Sequence, residues 1–468
     1  MSALHHLSVT EAGALLAARK LSPIELVDAV LARIEAVDRK IHSYITVNAD
    51  GARKQAKVAE SEIMAGRWRG PLHGIPFAAK DNYFTAGIRT TGASRLMLEH
   101  VPTETATCIQ QLEAAGAILM GKLNCWEYGT GGGGFFVFDD LPFPLARNPW
   151  NTERYTGGSS TGAGASVPAG TALFALGSDT GGSVRLPAAA CGLQGLKATY
   201  GLISRAGCLP NCWSLDVNGA LTWSVEDSAI VTQAMAGYDP KDPASEQVAI
   251  QDLRKELHSG VKGLTIGVVR DLGPEGAMIE PNLVAALDEM AKVLASGGAI
   301  LRDVVLPASL MTYHQVTGTI NASESFSIHE RDFMERSHLM GRSLREKMMT
   351  GFSVRAVDYL AALRLRRVLA KSTDAMIRSC DAVILPGAFH VAPRFADHDL
   401  VGRYSTENST PVFNVTGHPA MSICAGFDAD GMPLSTQIVG RYFDEATVLR
   451  VAQAYEASTS WRARRPTL

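Results

Sequence analysis

Two serines, each set straight after a Gly-Gly pair, lie 24 positions apart in this chain. Ser159 sits in Gly157-Gly158-Ser159-Ser160-Thr161-Gly162, and Ser183 in Gly177-Ser178-Asp179-Thr180-Gly181-Gly182-Ser183-Val184-Arg185. Glycine lets a backbone bend sharply and approach a bound molecule closely, so such loops present a hydroxyl together with bare N–H groups. If the second loop turns tightly ahead of a helix, the N–H groups of Thr180, Gly181, Gly182 and Ser183 converge on one point, where the positive end of the helix assists them. A serine is a weak nucleophile until a base takes its proton. No histidine lies between His100 and His258, but Lys80 closes the apolar run Ile75-Pro76-Phe77-Ala78-Ala79. A lysine leaving a buried strand is disfavoured as the ammonium, which lowers its pKa and makes a base of it.

With these residues in view, the chain resembles the amidase signature family, serine amidohydrolases that use a Ser–cis-Ser–Lys triad. The likeness runs through Gly74-Ile75-Pro76 to Lys80-Asp81-Asn82, Gly121-Lys122-Leu123-Asn124, Arg147-Asn148-Pro149-Trp150, the two serine loops, Gly195-Leu196-Lys197 and Phe443-Asp444-Glu445-Ala446-Thr447. It implies that Lys80 is the base, Ser159 the bridging serine on a cis peptide, and Ser183 the nucleophile. It also implies that Thr180, Gly181 and Gly182 hold the oxyanion. The glycine run from Gly129 matches a family loop that lines the acyl pocket, which puts Gly129 and Gly131 beside the substrate, with Phe135, Phe136 and Phe138 as apolar lining. Asp179 and Arg185 flank the nucleophile and read as a pair that holds the loop. The run of four glycines and Thr161, where the family commonly has Gly, depart from the usual pattern and leave substrate preference open.

Two other patterns compete. Gly158-Ser159-Ser160-Thr161-Gly162 fits the nucleophile elbow of α/β-hydrolases with Ser160 at its centre. That reading needs a strand before it, whereas Arg147 to Tyr155 is turn-like. Gly129-Thr130-Gly131-Gly132-Gly133-Gly134 fits a dinucleotide fingerprint, yet Phe135-Phe136-Val137-Phe138 follows where a helix should open.

Short apolar runs alternate with Gly-rich turns and helical segments from Pro71 to Ser245, the rhythm of an α/β sheet. The resemblance implies an amidase signature fold: a large mixed, mostly parallel twisted sheet flanked by helices, in one domain over residues 1–468. Residues 1–64 read as a helical N-terminal segment and 65–245 as the signature core; 246–468 read as the second half of the same sheet, with a helical insertion at about 308–380. Ser22-Pro23-Ile24-Glu25 is a capping-box start to one of the N-terminal helices. Pro411 to Gly426 and Leu434 to Gly440 are expected to complete the sheet.

A hydrophobic content of 46% and a net charge of −3 describe a globular chain with ample core and give no reason to expect nucleic acid or an anionic membrane as partner. Seven cysteines without a dense framework suit reduced thiols, and the close pair Cys208 and Cys212 lacks a second pair at zinc spacing, so neither metal nor cofactor is expected. The start of the chain lacks a secretory pattern and no stretch is long and apolar enough to span a membrane, which leaves the cytoplasm as the expected site.

The expected function is a stand-alone amidohydrolase that cleaves a small-molecule carboxylic amide through a Ser183 acyl-enzyme; anilides, esters and carbamates would react by the same steps. Homodimerisation is a tendency of the family. The alternative is the glutaminase subunit of a tRNA-dependent amidotransferase. Such subunits usually carry an Arg-Tyr-Asp-Gly-type stretch in the second half, and Asn321-Ala322-Ser323-Glu324-Ser325-Phe326 leads into nothing similar. A non-catalytic relative is the weakest reading, because all three triad positions are present.

Overall fold

The computed structural model describes residues 3–130 and 140–468. Eleven strands form one sheet: β1 (Tyr44–Val47), β2 (Pro76–Lys80), β3 (Ile118–Leu123), β4 (Phe174–Asp179), β5 (Gln194–Lys197), β6 (Val217–Thr222), β7 (Thr265–Val268), β8 (Ile300–Asp303), β9 (Ala382–Leu385), β10 (Ala420–Phe427) and β11 (Pro433–Val439). Their order across the sheet is β1-β3-β2-β4-β6-β5-β10-β11-β9-β7-β8. The expected large mixed α/β sheet is there, but parallel pairing is confined to β3-β2-β4 and β9-β7-β8. The pairings between β4 and β9, and the edge pair of β1 with β3, are antiparallel where a mostly parallel sheet is expected. The alternation of apolar runs and helical segments does not reveal strands that return directly beside their neighbours.

Alternation along the strands sorts the core to the two faces of the sheet. Phe77 and Ala79 of β2, with Phe174 and Leu176 of β4, join the apolar cluster beneath the N-terminal helices, and the Phe77 and Phe174 rings stack at 5.1 Å. Ala78 and Ala175, between them in sequence, face the opposite cluster. The helix Pro23–Ile41 starts at the capping box read from sequence, with Glu25 Oε2 accepting from Ser22 N at 3.0 Å. The N-terminal segment is not wholly helical: Tyr44–Val47 forms edge strand β1. Likewise Pro411–Thr416 is a short helix ahead of β10, not sheet. The insertion consists of helices Leu310–Arg336, Arg342–Ser353 and Ala356–Arg378. Among the described residues no helix is long and apolar enough to cross a membrane.

Lys80 ends β2 and Asp179 ends β4, and because these strands are parallel neighbours both residues emerge at one edge, where ligands gather in open α/β sheets. The loop after β4 is fixed by a buried ion pair. Arg185 Nε and Nη2 donate to Asp179 Oδ2 and Oδ1 at 3.0 and 2.9 Å, and both side chains are fully buried. The same guanidinium donates to Thr410 O, Gln437 Oε1 and Asn414 Oδ1 at 2.8, 2.7 and 2.6 Å. It thereby ties the nucleophile loop to the second half of the chain. Burial alone would raise the Asp179 carboxyl, but Arg185, Lys197 and Asn414 outweigh it and hold the group well below the usual carboxylate range.

Removing one partner of such a pair leaves the other charge buried and uncompensated. Arg185→Met is therefore expected to lower the free energy of unfolding by about 3–5 kcal/mol, read as a lower urea midpoint. A midpoint equal to that of the unaltered protein would show that the pair does not hold the two halves together.

Candidate active site

Lys80 is fully buried, and its Nζ lies 2.7 Å from Ser159 Oγ and 3.0 Å from Ser178 Oγ. The adjacent Asp81, the natural candidate for an ion-pair partner, turns away. It lies 3.4 Å from Lys122 Nζ and accepts from the Thr91 N–H and hydroxyl at 2.8 and 2.5 Å. Among the described residues no carboxylate pairs with Lys80. Burial accordingly lowers its pKa, and the nearby Cys125, Asp216, Asp179 and Cys208 offset that only in part. The arrangement favours an amine that shares its proton with Ser159.

Ser159 follows a cis peptide, Gly158–Ser159. Its carbonyl accepts from Trp126 N at 3.0 Å, and Gly158 packs so closely on the Trp126 ring that a β-carbon there would lie 2.3 Å from it. Gly129 closes over the pair, since a β-carbon on it would stand 3.5 Å from both Lys80 Nζ and Ser159 Oγ. Gly131, Phe135, Phe136 and Phe138 lie outside the described residues, as does most of the dinucleotide-like glycine run.

The loop carrying Ser183 is organised from within by Asp179. Its carboxylate accepts from Gly182 N at 2.8 Å and from Val184 N at 3.1 Å. The expectation that the Gly182 N–H helps to hold an oxyanion is thereby corrected, because Asp179 already occupies it. Glycine is needed at this position for another reason: its φ is +131°, and a β-carbon would meet Thr410 Oγ1 at 2.1 Å. Among the described residues the N–H groups of Thr180, Gly181 and Ser183 have no acceptor, so three of the four expected donors stay open. Ser183 is half-buried and its hydroxyl makes no hydrogen bond among the described residues. The structure thus joins Lys80 to Ser159 directly and leaves Ser183 open.

The wall facing this loop comes from residues that the motifs did not single out. Thr180 Oγ1 donates to Asp216 Oδ1 at 2.6 Å and accepts from Asn211 Nδ2 at 3.1 Å. Asn211 Oδ1 in turn accepts from Lys347 Nζ at 2.7 Å, and Asn321 Oδ1 accepts from the same ammonium at 2.9 Å. Lys347 is 5% exposed and has no carboxylate partner among the described residues; burial lowers its pKa to about 8. In sequence it is one charge among several in Arg345-Glu346-Lys347, with no signal to separate it from a solvated helix face. Ser178 and Asn82 sit inside recognised motifs, yet sequence assigned them no task. They line a cavity of about 460 Å³ together with Arg205, Cys208, Asn211 and Asp216.

The α/β-hydrolase reading gains nothing. Ser160 is fully buried with its hydroxyl 3.4 Å from Ser178 O, while His390 and His418, the histidines it would need, pair with Glu407 at 2.6 Å and Asp374 at 3.2 Å.

The family model Amidase matches residues 25–449. A glutamyl-tRNA(Gln) amidotransferase subunit from Carboxydothermus hydrogenoformans is 36% identical over 99% of this chain and 100% of its own length. The corresponding glutamyl-tRNA(Gln) amidotransferase subunit from Thermotoga maritima, whose structure is solved, is 30% identical, with a TM-score of 0.81 over 97% of this chain and 95% of its own. A structure described as a vestigial protein complex that reveals the origins of an s-triazine catabolic enzyme superposes with a TM-score of 0.90, at 29% identity, over 99% of this chain and 100% of its own. These relatives correct the expectation of a stand-alone small-molecule amidase without nucleic acid among its partners, since full-length relatives bear the name of one subunit of an enzyme that acts on a tRNA. By the match over 25–449 and the full-length relatives, this chain belongs to the amidase family.

Proposed function

We propose that this chain is the amide-hydrolysing subunit of an amidotransferase-type assembly, and that its amide donor is glutamine. An amidotransferase needs nitrogen released from a carboxamide, and the site is built for acyl transfer. Neutral Lys80 takes the Ser159 proton as Ser159 takes that of Ser183, and Ser183 Oγ attacks the carboxamide carbon. The N–H groups of Thr180, Gly181 and Ser183 receive the negative charge that develops on oxygen; one such donor contributes roughly 3 kcal/mol in other acyl-transfer enzymes. The C–N bond then breaks, the proton returns from Lys80 through Ser159 to the departing nitrogen, and ammonia leaves. Water attacks the Ser183 ester, Lys80 again accepts a proton through Ser159, and Ser183 recovers it as glutamate departs.

Chemically, the reading is carried by a buried lysine, free of any carboxylate among the described residues, 2.7 Å from Ser159. Glutamine is favoured by the names of the relatives and by Lys347. An ammonium has three donors, and two asparagine oxygens occupy two of them. The third suits a carboxylate at the far end of the substrate, one side chain away from Thr180. In place of the missing Arg-Tyr-Asp-Gly-type stretch, Lys347 on the helix Arg342–Ser353 would supply the cation.

When the tagged chain is isolated under native conditions from the cells that make it, further subunits are expected with it and ammonia and glutamate should form from glutamine. A chain that comes alone and leaves glutamine intact would overturn the assignment. Lys80→Ala is expected to reduce kcat by about 10²–10⁴-fold with an unchanged circular dichroism spectrum. Lys347→Met should raise KM for glutamine by roughly ten- to a hundredfold while changing kcat far less, the loss of a hydrogen bond to a charged group. An unaltered KM would remove Lys347 from substrate recognition.

A further inference from the structure

We propose that Ser178 is the positioning residue of the base: it fixes the rotation of the Lys80 amine so that its lone pair faces Ser159. This rests on the proton relay proposed above and adds a residue to it. A neutral amine has one lone pair and two N–H bonds. To take a proton from Ser159 Oγ, 2.7 Å away, the lone pair must point there and the N–H bonds elsewhere. Among the described residues, the hydrogen-bond partner left for them is Ser178 Oγ at 3.0 Å.

Ser178 is suited to accept from the amine in either protonation state. A hydroxyl oxygen accepts two hydrogen bonds. Asn82 Nδ2, which can only donate, occupies one acceptor position at 3.0 Å, and Lys80 takes the other. The Ser178 O–H is thereby turned away from Lys80, toward the cavity that Ser178 and Asn82 line. A hydroxyl held in this way does not offer its own proton to the lysine, so the lone pair has Ser159 as its sole suitor among these neighbours. Without Ser178, Nζ would rotate freely about its last bond and present the lone pair to Ser159 only part of the time.

Ser178 also accepts from the ammonium, so its removal disfavours the charged form. The acid limb of reactivity, where Lys80 gains its proton, therefore moves to lower pH in Ser178→Ala. The other ionisable groups that face Lys80 are Cys125, Asp216, Asp179 and Cys208. Burial pushes the Cys125 thiol up to about 12 and the Cys208 thiol well above its usual range, and both are present in every variant compared. Asp179 is held ionised by Arg185, and Asp216, raised by burial, is present in every variant compared. A difference between acid limbs thus reports Ser178.

The test is the rate of covalent labelling of Ser183 by a fluorophosphonate as a function of pH, which requires no knowledge of the natural substrate. Ser178→Ala is expected to label about ten- to a hundredfold more slowly at its optimum, with its acid limb displaced to lower pH by roughly one unit. Ser178→Thr, which keeps the hydroxyl, should restore both. Asn82→Asp, whose carboxylate would favour the ammonium through Ser178, should move the limb to higher pH, and decides the matter if Ser178→Ala does not fold. An acid limb in Ser178→Ala that coincides with that of the unaltered protein, a failure of Ser178→Thr to restore the rate, or an unmoved limb in Asn82→Asp would overturn the proposal. Absence of labelling in the unaltered protein would instead overturn the proposed acyl-enzyme.

Discussion

The reaction proposed for this molecule rests on a lysine taken out of water with no acid to meet it among the described residues. Lys80 is fully buried, and Asp81, its neighbour in sequence, is committed to Lys122 and Thr91. That division of labour between two buried lysines distinguishes the proposed base from a structural cation. Lys122 is bound by Asp81, Tyr83 O and Thr90 Oγ1, at 3.4, 2.6 and 2.6 Å, and serves the fold. Among the described residues Lys80 meets only hydroxyls, each of which tolerates a neutral amine. Desolvation of an ammonium without a carboxylate to compensate it disfavours the charge, and the amine becomes available for proton transfer.

The second constraint is the placement of Ser183 by groups that never need to touch a substrate. Asp179 binds the Gly182 and Val184 N–H groups from inside the loop, and Arg185 binds Asp179 and then reaches across to Thr410, Asn414 and Gln437. A buried charge pair of this kind contributes specificity of geometry more than net stability. Among the described residues the geometry it fixes is a loop with three N–H groups left open beside a Ser183 hydroxyl that makes no hydrogen bond. Donors held by the fold need not reorganise when charge develops on a carbonyl oxygen. The first and second halves of the chain therefore depend on each other at the proposed site of the chemistry.

Much of this was legible in the sequence, and the reasons are local. Gly-Gly-Ser pairs announce loops where backbone and hydroxyl come together, and an apolar run that ends in lysine announces a buried amine. The capping box at Ser22 follows from short-range rules and stands as read. What escaped is set by long-range geometry. The antiparallel middle of the sheet, edge strand Tyr44–Val47 and the helix Pro411–Thr416 depend on partners far along the chain. Gly182 reads as an oxyanion donor because sequence cannot show that Asp179 occupies its N–H. Lys347 looks like any exposed helical lysine until Asn211 and Asn321 are seen around it. The reading of a lone small-molecule amidase is overturned by full-length relatives named as an amidotransferase subunit, because Lys80, Ser159 and Ser183 do not by themselves tell one amide from another.

The most direct measurement of the central claim is the titration of Lys80 itself in the folded protein, followed by NMR of ¹³C-lysine-labelled enzyme with the resonance assigned from Lys80→Arg. The Lys80 signal is expected to titrate well below the ordinary lysine range, because its ammonium is buried without a carboxylate partner among the described residues. A signal that stays that of an ammonium up to the range of the exposed lysines would contradict it.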